Sequence, residues 1–291
     1  MKTTLAAATL VALALLSPPT TAGADTELRL ATSVPDGSPW ARVLEANAHE
    51  LGQKTEGRVT LRYYLNSAQG DDRDAVRKMK LGQLDGAMVS GGALGMIASD
   101  VRVLEQPLLF TTNRQLDVVR STMAADFRSR FEGAGYVLLA WADNGWVHFL
   151  STTPITTPSD LTKLKMGLGA EDAVMREFFR ALGVNAVPLG GPEILPALQS
   201  GRVTACYGTL GEAIARNWYA KTKHATATPV AYEVGALVVR KEAFGRLSRE
   251  DQQAVRASGR TLQSRLLASL RGEGDRVKRS EERRVGKECR L

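Results

Sequence analysis

Two stretches of the chain show the same alternation of short apolar runs and segments with helical periodicity. In the first stretch the pattern predicts strands and helices in turn at 28–32, 40–54, 59–65, 72–81 and 84–89. In the second stretch the same order returns at 164–168, 171–182, 184–188, 192–200 and 203–207. Because strands that alternate with helices favour a parallel-type sheet covered by helices, the predicted fold class is α/β with two similar lobes.

The two stretches also close in the same way. Leu81-Gly82-Gln83 and Ser200-Gly201-Arg202 each end a predicted helix at a C-cap glycine, and a strand follows within two residues. Two similar α/β halves predict a two-lobed fold, joined by crossing strands. A ligand would then lie between the carboxyl ends of the two sheets.

The link between the halves is an extended aromatic segment, 138–149, interrupted at Asn144-Gly145. We interpret it as a strand that crosses between the lobes with a hinge at this dipeptide. The alternative is a tight hairpin turn inside one domain. A return crossing is predicted at 229–239, and Ser248 with Asp251 is typical of a capped start to a long C-terminal helix. The predicted domains are 1–24 as a signal peptide, 25–142 with 230–247 as the first lobe, 143–229 with 248–278 as the second lobe and long helix, and 279–291 as a non-native tail.

The first 24 residues have the features of a secretion signal. Lys2 gives a basic start, 5–16 is apolar and uncharged, and Ala22-Gly23-Ala24 offers small residues to signal peptidase. A membrane anchor is the weaker alternative, because the apolar run is shorter than the ~20 residues needed to span a bilayer. We expect cleavage near Ala24 and a periplasmic mature protein.

The other end of the chain changes the charge balance. Residues 279–291 resemble the conceptual translation of a short-read sequencing adapter; the alternative is a natural basic tail. The whole chain carries 38 bases and 31 acids, and removing Lys2 with the five bases and three acids of this tail leaves 32 against 28. That balance does not indicate a nucleic-acid partner. Since Cys289 lies in the tail, Cys206 is predicted to be unpaired and packed in the core rather than reactive.

Catalytic motifs are sparse. The three histidines are far apart in sequence and lack the spacing of metal ligands. Ser90-Gly91-Gly92 follows a strand without the Gly-x-Ser-x-Gly pattern of a nucleophile elbow, and neither glycine pair forms a phosphate-binding loop with a lysine. Asp72 lies in an acidic run that is typical of the first turn of a helix. We therefore expect no enzyme activity, no metal and no cofactor.

Several short motifs, in this order and spacing, resemble the DctP-type solute-binding proteins of TRAP transporters. They include Ser33-Val34-Pro35-Asp36-Gly37, Gln69-Gly70-Asp71-Asp72-Arg73, Leu81-Gly82-Gln83-Leu84-Asp85, Trp141-Ala142-Asp143-Asn144-Gly145 and Ala197-Leu198-Gln199-Ser200-Gly201. The resemblance spans residues 27 to 270. It implies a two-lobed, periplasmic-binding-protein-like fold. It also implies a periplasmic receptor that closes on a small-molecule ligand and delivers it to the small and large integral membrane subunits of a permease.

The chain departs from the family at its carboxylate-binding positions. The resemblance implies arginines at Gly167 and Val147, an asparagine at Gly208 and an aromatic residue at Gly191. Loss of the arginines removes the charge compensation that a buried carboxylate needs. We therefore predict a ligand that is not a simple dicarboxylate but neutral or partly apolar. The predicted ligand-binding residues are Ser33, Trp40, Asp72, Ser90, Gly91, Asn144, Trp146, Val147, Gly167, Gly191, Tyr207, Gly208, Thr209 and Trp218.

Two other functions remain open on the sequence. A periplasmic ligand-sensing partner of a signalling receptor would share the whole fold. An exported hydrolase would use Ser90 as its nucleophile.

Overall fold

The computed structural model describes residues 25–170 and 172–288, with side chains as far as residue 270. The predicted signal peptide at 1–24 lies outside the described residues, as do 289–291. Of the predicted tail, only the backbone of 279–288 is described, as the end of a helix.

The chain forms eleven strands within the described residues: β1 (Thr26–Thr32), β2 (Val59–Tyr64), β3 (Gly86–Ser90), β4 (Tyr136–Trp141), β5 (Gly145–Ser151), β6 (Met166–Gly169), β7 (Ala186–Leu189), β8 (Ala205–Thr209), β9 (His224–Ala225), β10 (Ala231–Glu233) and β11 (Gly235–Arg240). The α-helices are α1 (Pro39–Lys54), α2 (Asp72–Lys80), α3 (Gly91–Leu94), α4 (Asn113–Thr122), α5 (Ala124–Gly133), α6 (Ala173–Ala181), α7 (Ile194–Ser200), α8 (Leu210–Ala215), α9 (Lys241–Gly245) and α10 (Arg249–Glu288). Short 3₁₀ helices lie at Ser99–Glu105, Pro158–Lys163, Gly191–Glu193 and Trp218–Ala220.

The strands form two sheets, which define the two lobes. The first sheet has the order β2-β1-β3-β11-β4, with β1 parallel to β2 and β3 and with β11 antiparallel to β3 and β4. The second has the order β10-β5-β8-β6-β7, with β6 parallel to β7 and β8 and with β5 antiparallel to β8. The predicted α/β class with two lobes is confirmed.

Each lobe contains the same β-α-β-α-β unit. Its three strands stand in the order β2-β1-β3 in one sheet and β7-β6-β8 in the other. The glycines predicted to end the second helix of each unit adopt the left-handed conformation, with φ of 75° at Gly82 and 72° at Gly201. Glycine is favoured there because it carries no Cβ.

Two segments carry the chain between the sheets. β4 belongs to the first sheet and β5 to the second, so the chain crosses at 142–144 rather than forming the alternative hairpin. β10 pairs with β5 and β11 with β3 and β4, so the return crossing is at Val234. The Arg120 guanidinium bonds both carboxylate oxygens of Asp143 at 2.9 and 2.7 Å, which fixes the first crossing from the side of α4.

The long helix lies on the first lobe, whereas the predicted domains assigned 248–278 to the second. Val255, Leu262 and Leu266 of α10 are buried in one apolar cluster with residues of α1 and the first sheet. At Gly259 a Cβ would lie 2.5 Å from the Leu139 carbonyl oxygen of β4, so the helix approaches that strand closely. The apolar face of α10 covers a sheet face that α1 covers only in part. The predicted division at 230–247 also needs correction, since β10 pairs within the second sheet.

Candidate functional site

Three predicted ligand-binding residues, Asp72, Ser90 and Gly91, lie close together where β3 ends and α3 begins. We call them the first wall of the candidate cleft. The Ser90 backbone N–H and hydroxyl both donate to Oδ2 of Asp72, at 2.8 and 2.6 Å. Asp72 opens α2, where a carboxylate is stabilised by the helix N-terminus. The structure thus brings together Asp72, Ser90 and the adjoining Gly91. The Ser90 hydroxyl donates to a carboxylate rather than to a histidine, an arrangement that does not favour a nucleophile.

A buried carboxylate lies directly behind Gly91. A Cβ on Gly91 would lie 2.1 Å from Oε1 of Glu105, so only glycine fits here. Oε1 of Glu105 also accepts a hydrogen bond of 2.9 Å from the backbone N–H of Val234, at the return crossing. Burial raises the pKa of Glu105 to about 7, although Arg102 and the Val234 N–H act in the opposite direction. A group that titrates near neutral pH therefore touches one of the two crossings.

At the predicted hinge, Asn144 is hydrogen-bonded to a second acid, Glu233. The Asn144 side chain donates to Oε1 of Glu233 at 3.0 Å, and its backbone N–H donates to the Glu233 carbonyl oxygen. Burial, together with the charges of Glu212 and Glu105, raises the pKa of Glu233 well above its usual range. The two crossings are therefore bonded to each other at this point.

Three predicted glycines of the second lobe, Gly167, Gly191 and Gly208, form the second wall of the candidate cleft. They differ in the space around them. At Gly167 a Cβ would meet its nearest neighbour at 3.5 Å, an ordinary contact. At Gly208 a Cβ would lie 2.8 Å from the Trp218 ring and 2.9 Å from Oε2 of Glu212. These two side chains therefore fill the space that the resemblance assigns to an asparagine.

An ion pair occupies the position of the missing aromatic residue. At Gly191 a Cβ would lie 3.2 to 3.4 Å from the Arg216 guanidinium, whose Nε bonds Oε1 of Glu212 at 2.8 Å. Thr209 caps α8 by accepting from the Glu212 N–H. The Glu212 side chain is 31% exposed, yet the protein around it desolvates the carboxyl and raises its pKa.

A third cluster joins the two walls. Tyr207 on β8 donates through its hydroxyl to Oδ2 of Asp172 at 2.9 Å and accepts from the Gly169 N–H. Oδ1 of Asp172 is 2.5 Å from Nη2 of Arg102, which belongs to the first lobe. Burial and the Asp172 carboxylate raise the pKa of Tyr207 well above its usual range, so the phenol keeps its proton and remains a donor.

Several predicted site residues pack against apolar or aromatic side chains. Trp218 and Val147 are buried in apolar clusters of the second lobe, with 2% and 5% of their surface exposed. Trp40 packs against the cluster beneath α1. Trp146 donates to the Asn113 side chain of α4 and packs edge-on against Tyr232, which ties β5 to the first lobe.

Ser33 and Cys206 lie in opposite environments. Ser33 is exposed immediately after β1. Cys206 is fully buried, and burial raises the pKa of its thiol to about 12, which agrees with a packed rather than a reactive cysteine.

Six charged residues near the predicted site were not predicted from the sequence: Arg102, Glu105, Asp172, Glu212, Arg216 and Glu233. Asp172 and Glu212 lie in the first turn or cap of a helix that follows a strand, as Asp72 does, and that rule would have identified both. Arg102 gave no comparable signal, because its partner Asp172 lies 70 residues away in the chain.

Among the described residues, no group of three or more histidine, cysteine, aspartate or glutamate side chains is arranged to hold a metal ion. Within the same part of the chain, no helix combines the length and apolar character needed to cross a membrane.

Comparison with known proteins identifies the family. The sequence profile of DctP, the bacterial extracellular solute-binding proteins of family 7, matches residues 30–276. A solute-binding protein of Verminephrobacter eiseniae is 29% identical over 236 residues, 80% of this chain and 70% of that protein. The C4-dicarboxylate-binding periplasmic protein DctP of Rhodobacter capsulatus is 29% identical over 202 residues, 68% of this chain and 60% of that protein.

Solved structures show the same fold. A TRAP periplasmic solute-binding protein from Sulfitobacter sp. NAS-14.1, with bound β-D-galacturonate, superposes with a TM-score of 0.80. The match covers 88% of this chain and 85% of that one at 21% identity. Such proteins are solute receptors rather than enzymes. The resemblance drawn from the sequence is confirmed: the chain belongs to the DctP family of bacterial extracellular solute-binding proteins.

Proposed function

We propose that this protein is the periplasmic solute receptor of a TRAP-type secondary transporter. It is exported with cleavage near Ala24, binds a small molecule between its lobes and delivers it to the small and large integral membrane subunits of the permease. Family membership and the two-lobed fold support this function. The crossings at 142–144 and Val234 act as the hinge. Closure follows a shift between open and closed populations, driven by tighter ligand binding to the closed form.

The ligand that we propose is neutral or partly apolar rather than a dicarboxylate. One observation carries this: the cleft arginines Arg102 and Arg216 are both bonded to carboxylates of the chain itself, Asp172 and Glu212. Gly167 and Val147 occupy the positions at which the family resemblance implies arginines. An anionic solute would therefore find both Arg102 and Arg216 already paired and would face Asp72 as well.

Relatives give the strongest opposing argument. The Rhodobacter capsulatus protein is named for C4-dicarboxylates, and the Sulfitobacter structure holds a uronate. At these levels of identity a shared fold does not determine which residues contact the ligand.

Isothermal titration calorimetry tests the proposal directly. The purified protein is titrated with succinate, D-galacturonate and a panel of uncharged metabolites. We expect no micromolar affinity for the two acids and measurable binding of at least one uncharged compound. Micromolar binding of either acid would contradict the neutral ligand while leaving the receptor function intact.

A further inference from the structure

Arg102 is the residue through which the first lobe reaches the second inside the cleft. It lies on the 3₁₀ helix Ser99–Glu105, and its side chain is only 14% exposed. Its Nε is 3.0 Å from Oε2 of Glu105, and its Nη2 is 2.5 Å from Oδ1 of Asp172. One guanidinium is thus held between a carboxylate of its own lobe and a carboxylate of the opposite lobe.

Asp172 is fixed by every polar contact that it makes. It is the N-cap of α6, where Oδ1 accepts the Met175 N–H at 3.1 Å. Its Oδ2 accepts the Tyr207 hydroxyl at 2.9 Å. Both oxygens are therefore held by second-lobe donors while Oδ1 faces Arg102. The carboxylate is preorganised for the guanidinium and loses little side-chain entropy on pairing.

The surroundings of the pair place it at the ligand cleft. Gly92 and Gly95 of the segment that follows Ser90 approach the Arg102 side chain, where added Cβ atoms would lie 3.2 and 3.0 Å away. On the other side, Gly169 and Tyr207 stand at or near the carboxyl ends of β6 and β8. A recess beside the pair is lined by Gln106 and Pro107 of the first lobe and by residues of α6.

We propose that Asp172 is a specificity-determining residue that occupies Arg102 in place of the carboxylate of a solute. The inference rests on the proposed function and deepens it. A carboxylate ligand has to displace Asp172 from the guanidinium, which leaves an unpaired acid beside the incoming anion in a partly buried site. Specificity of this kind comes from a repulsive group as much as from an attractive one.

The decisive variant is Asp172→Asn. Asparagine is as good an N-cap as aspartate: its Oδ1 can still accept from the Met175 N–H, and its Nδ2 faces the Tyr207 hydroxyl, to which it can donate. The fold is therefore retained while the competing charge is lost. We expect the Kd for D-galacturonate, measured by isothermal titration calorimetry, to fall by about tenfold or more, since a charge-assisted Arg–carboxylate contact becomes available.

Asp160→Asn is the matched control. Asp160 is 21% exposed against 22% for Asp172, caps the 3₁₀ helix Pro158–Lys163 and pairs with Lys163 at 2.9 Å. It lies in the second lobe but makes no contact with Arg102 in the described structure. Its substitution is expected to leave the Kd for D-galacturonate unchanged.

A second variant links the gain to Arg102. Adding Arg102→Gln to Asp172→Asn should return the Kd to the wild-type value. If Asp172→Asn folds with the wild-type circular dichroism spectrum and binds D-galacturonate no more tightly, the inference is wrong while the neutral ligand stands. If the wild type already binds D-galacturonate at micromolar Kd and Asp172→Asn still tightens it through Arg102, the neutral ligand is wrong while the role of Asp172 stands.

Discussion

The two lobes contain the same β-α-β-α-β unit but differ in how that unit is supported. In the first lobe β1 and β3 are paired over three residues, and α10 covers one face of the sheet with buried leucines. In the second lobe the parallel contact of β6 with β8 is limited to Met166 and Ala205, and the apolar clusters are smaller.

The two walls of the candidate cleft also differ in how their side chains are held. The first wall is a short hydrogen-bonded set, Asp72 with Ser90, anchored at strand and helix ends. The second wall combines glycines with ion pairs supplied by helices, among them Glu212 with Arg216. The two walls therefore differ in what holds their acids: the Ser90 backbone N–H and hydroxyl in the first lobe, and the Arg216 guanidinium in the second.

The largest effect is expected from the support of the first lobe. Leu262 is fully buried between α10 and the first sheet, so Leu262→Ala should lower the free energy of unfolding by about 2–5 kcal/mol through lost burial and a cavity. Urea denaturation measures the change, with the exposed Ser264→Ala on the same helix as control. Equal stability of the two variants would show that α10 does not support this lobe.

The second-largest effect is expected from Glu105, a buried acid of the first lobe, which should make the free energy of unfolding depend on pH. The exposed acids of the second lobe serve as the comparison. The pKa of Glu105 is raised from 4.5 to about 7, so the folded state holds this proton to higher pH than the unfolded state does. The resulting stability is fully present below pH 4.5 and is lost as the pH rises through 7. Between pH 5 and 8, wild type should lose about 2–3 kcal/mol more unfolding free energy than Glu105→Gln.

Urea denaturation at the two pH values measures this difference. The glutamine can still accept from the Val234 N–H, so the variant tests the charge alone. Glu177→Gln, on the exposed face of α6, should keep the wild-type pH dependence. Parallel pH curves for Glu105→Gln and wild type would rule out a proton held by Glu105.

The smallest effect tests the second wall by itself. Gly208→Ala places a Cβ 2.8 Å from the buried Trp218 ring and should cost about 1–3 kcal/mol, because the ring has to shift. Gly167→Ala meets nothing closer than 3.5 Å and should be close to neutral. Thermal unfolding of Gly208→Ala, Gly167→Ala and wild type measures both changes in stability. A tolerated Gly208→Ala would show that the packing of Trp218 and Glu212 over this wall is loose.

The sequence by itself determined the order of the elements. Apolar periodicity and C-cap glycines are local signals, and they placed the strands and helices of both units to within a few residues, including the turns at Gly82 and Gly201. The family resemblance, rather than these local signals, singled out Asp72 and Ser90, which the structure brings together. The family was identified from the order and spacing of short motifs, such as Gln69-Gly70-Asp71-Asp72-Arg73.

Only the tertiary structure decided which lobe α10 covers and which charges meet in the cleft. The apolar stripe of a helix shows that it is buried but not against which sheet, so the assignment to the second lobe was wrong. The contact of Arg102 with Asp172 joins residues 70 positions apart, and Trp218 fills a space beside Gly208 that no local pattern reveals. Apolar periodicity shows whether a residue is buried or exposed. The partner of a charged side chain depends on tertiary contacts between segments that are far apart in the sequence.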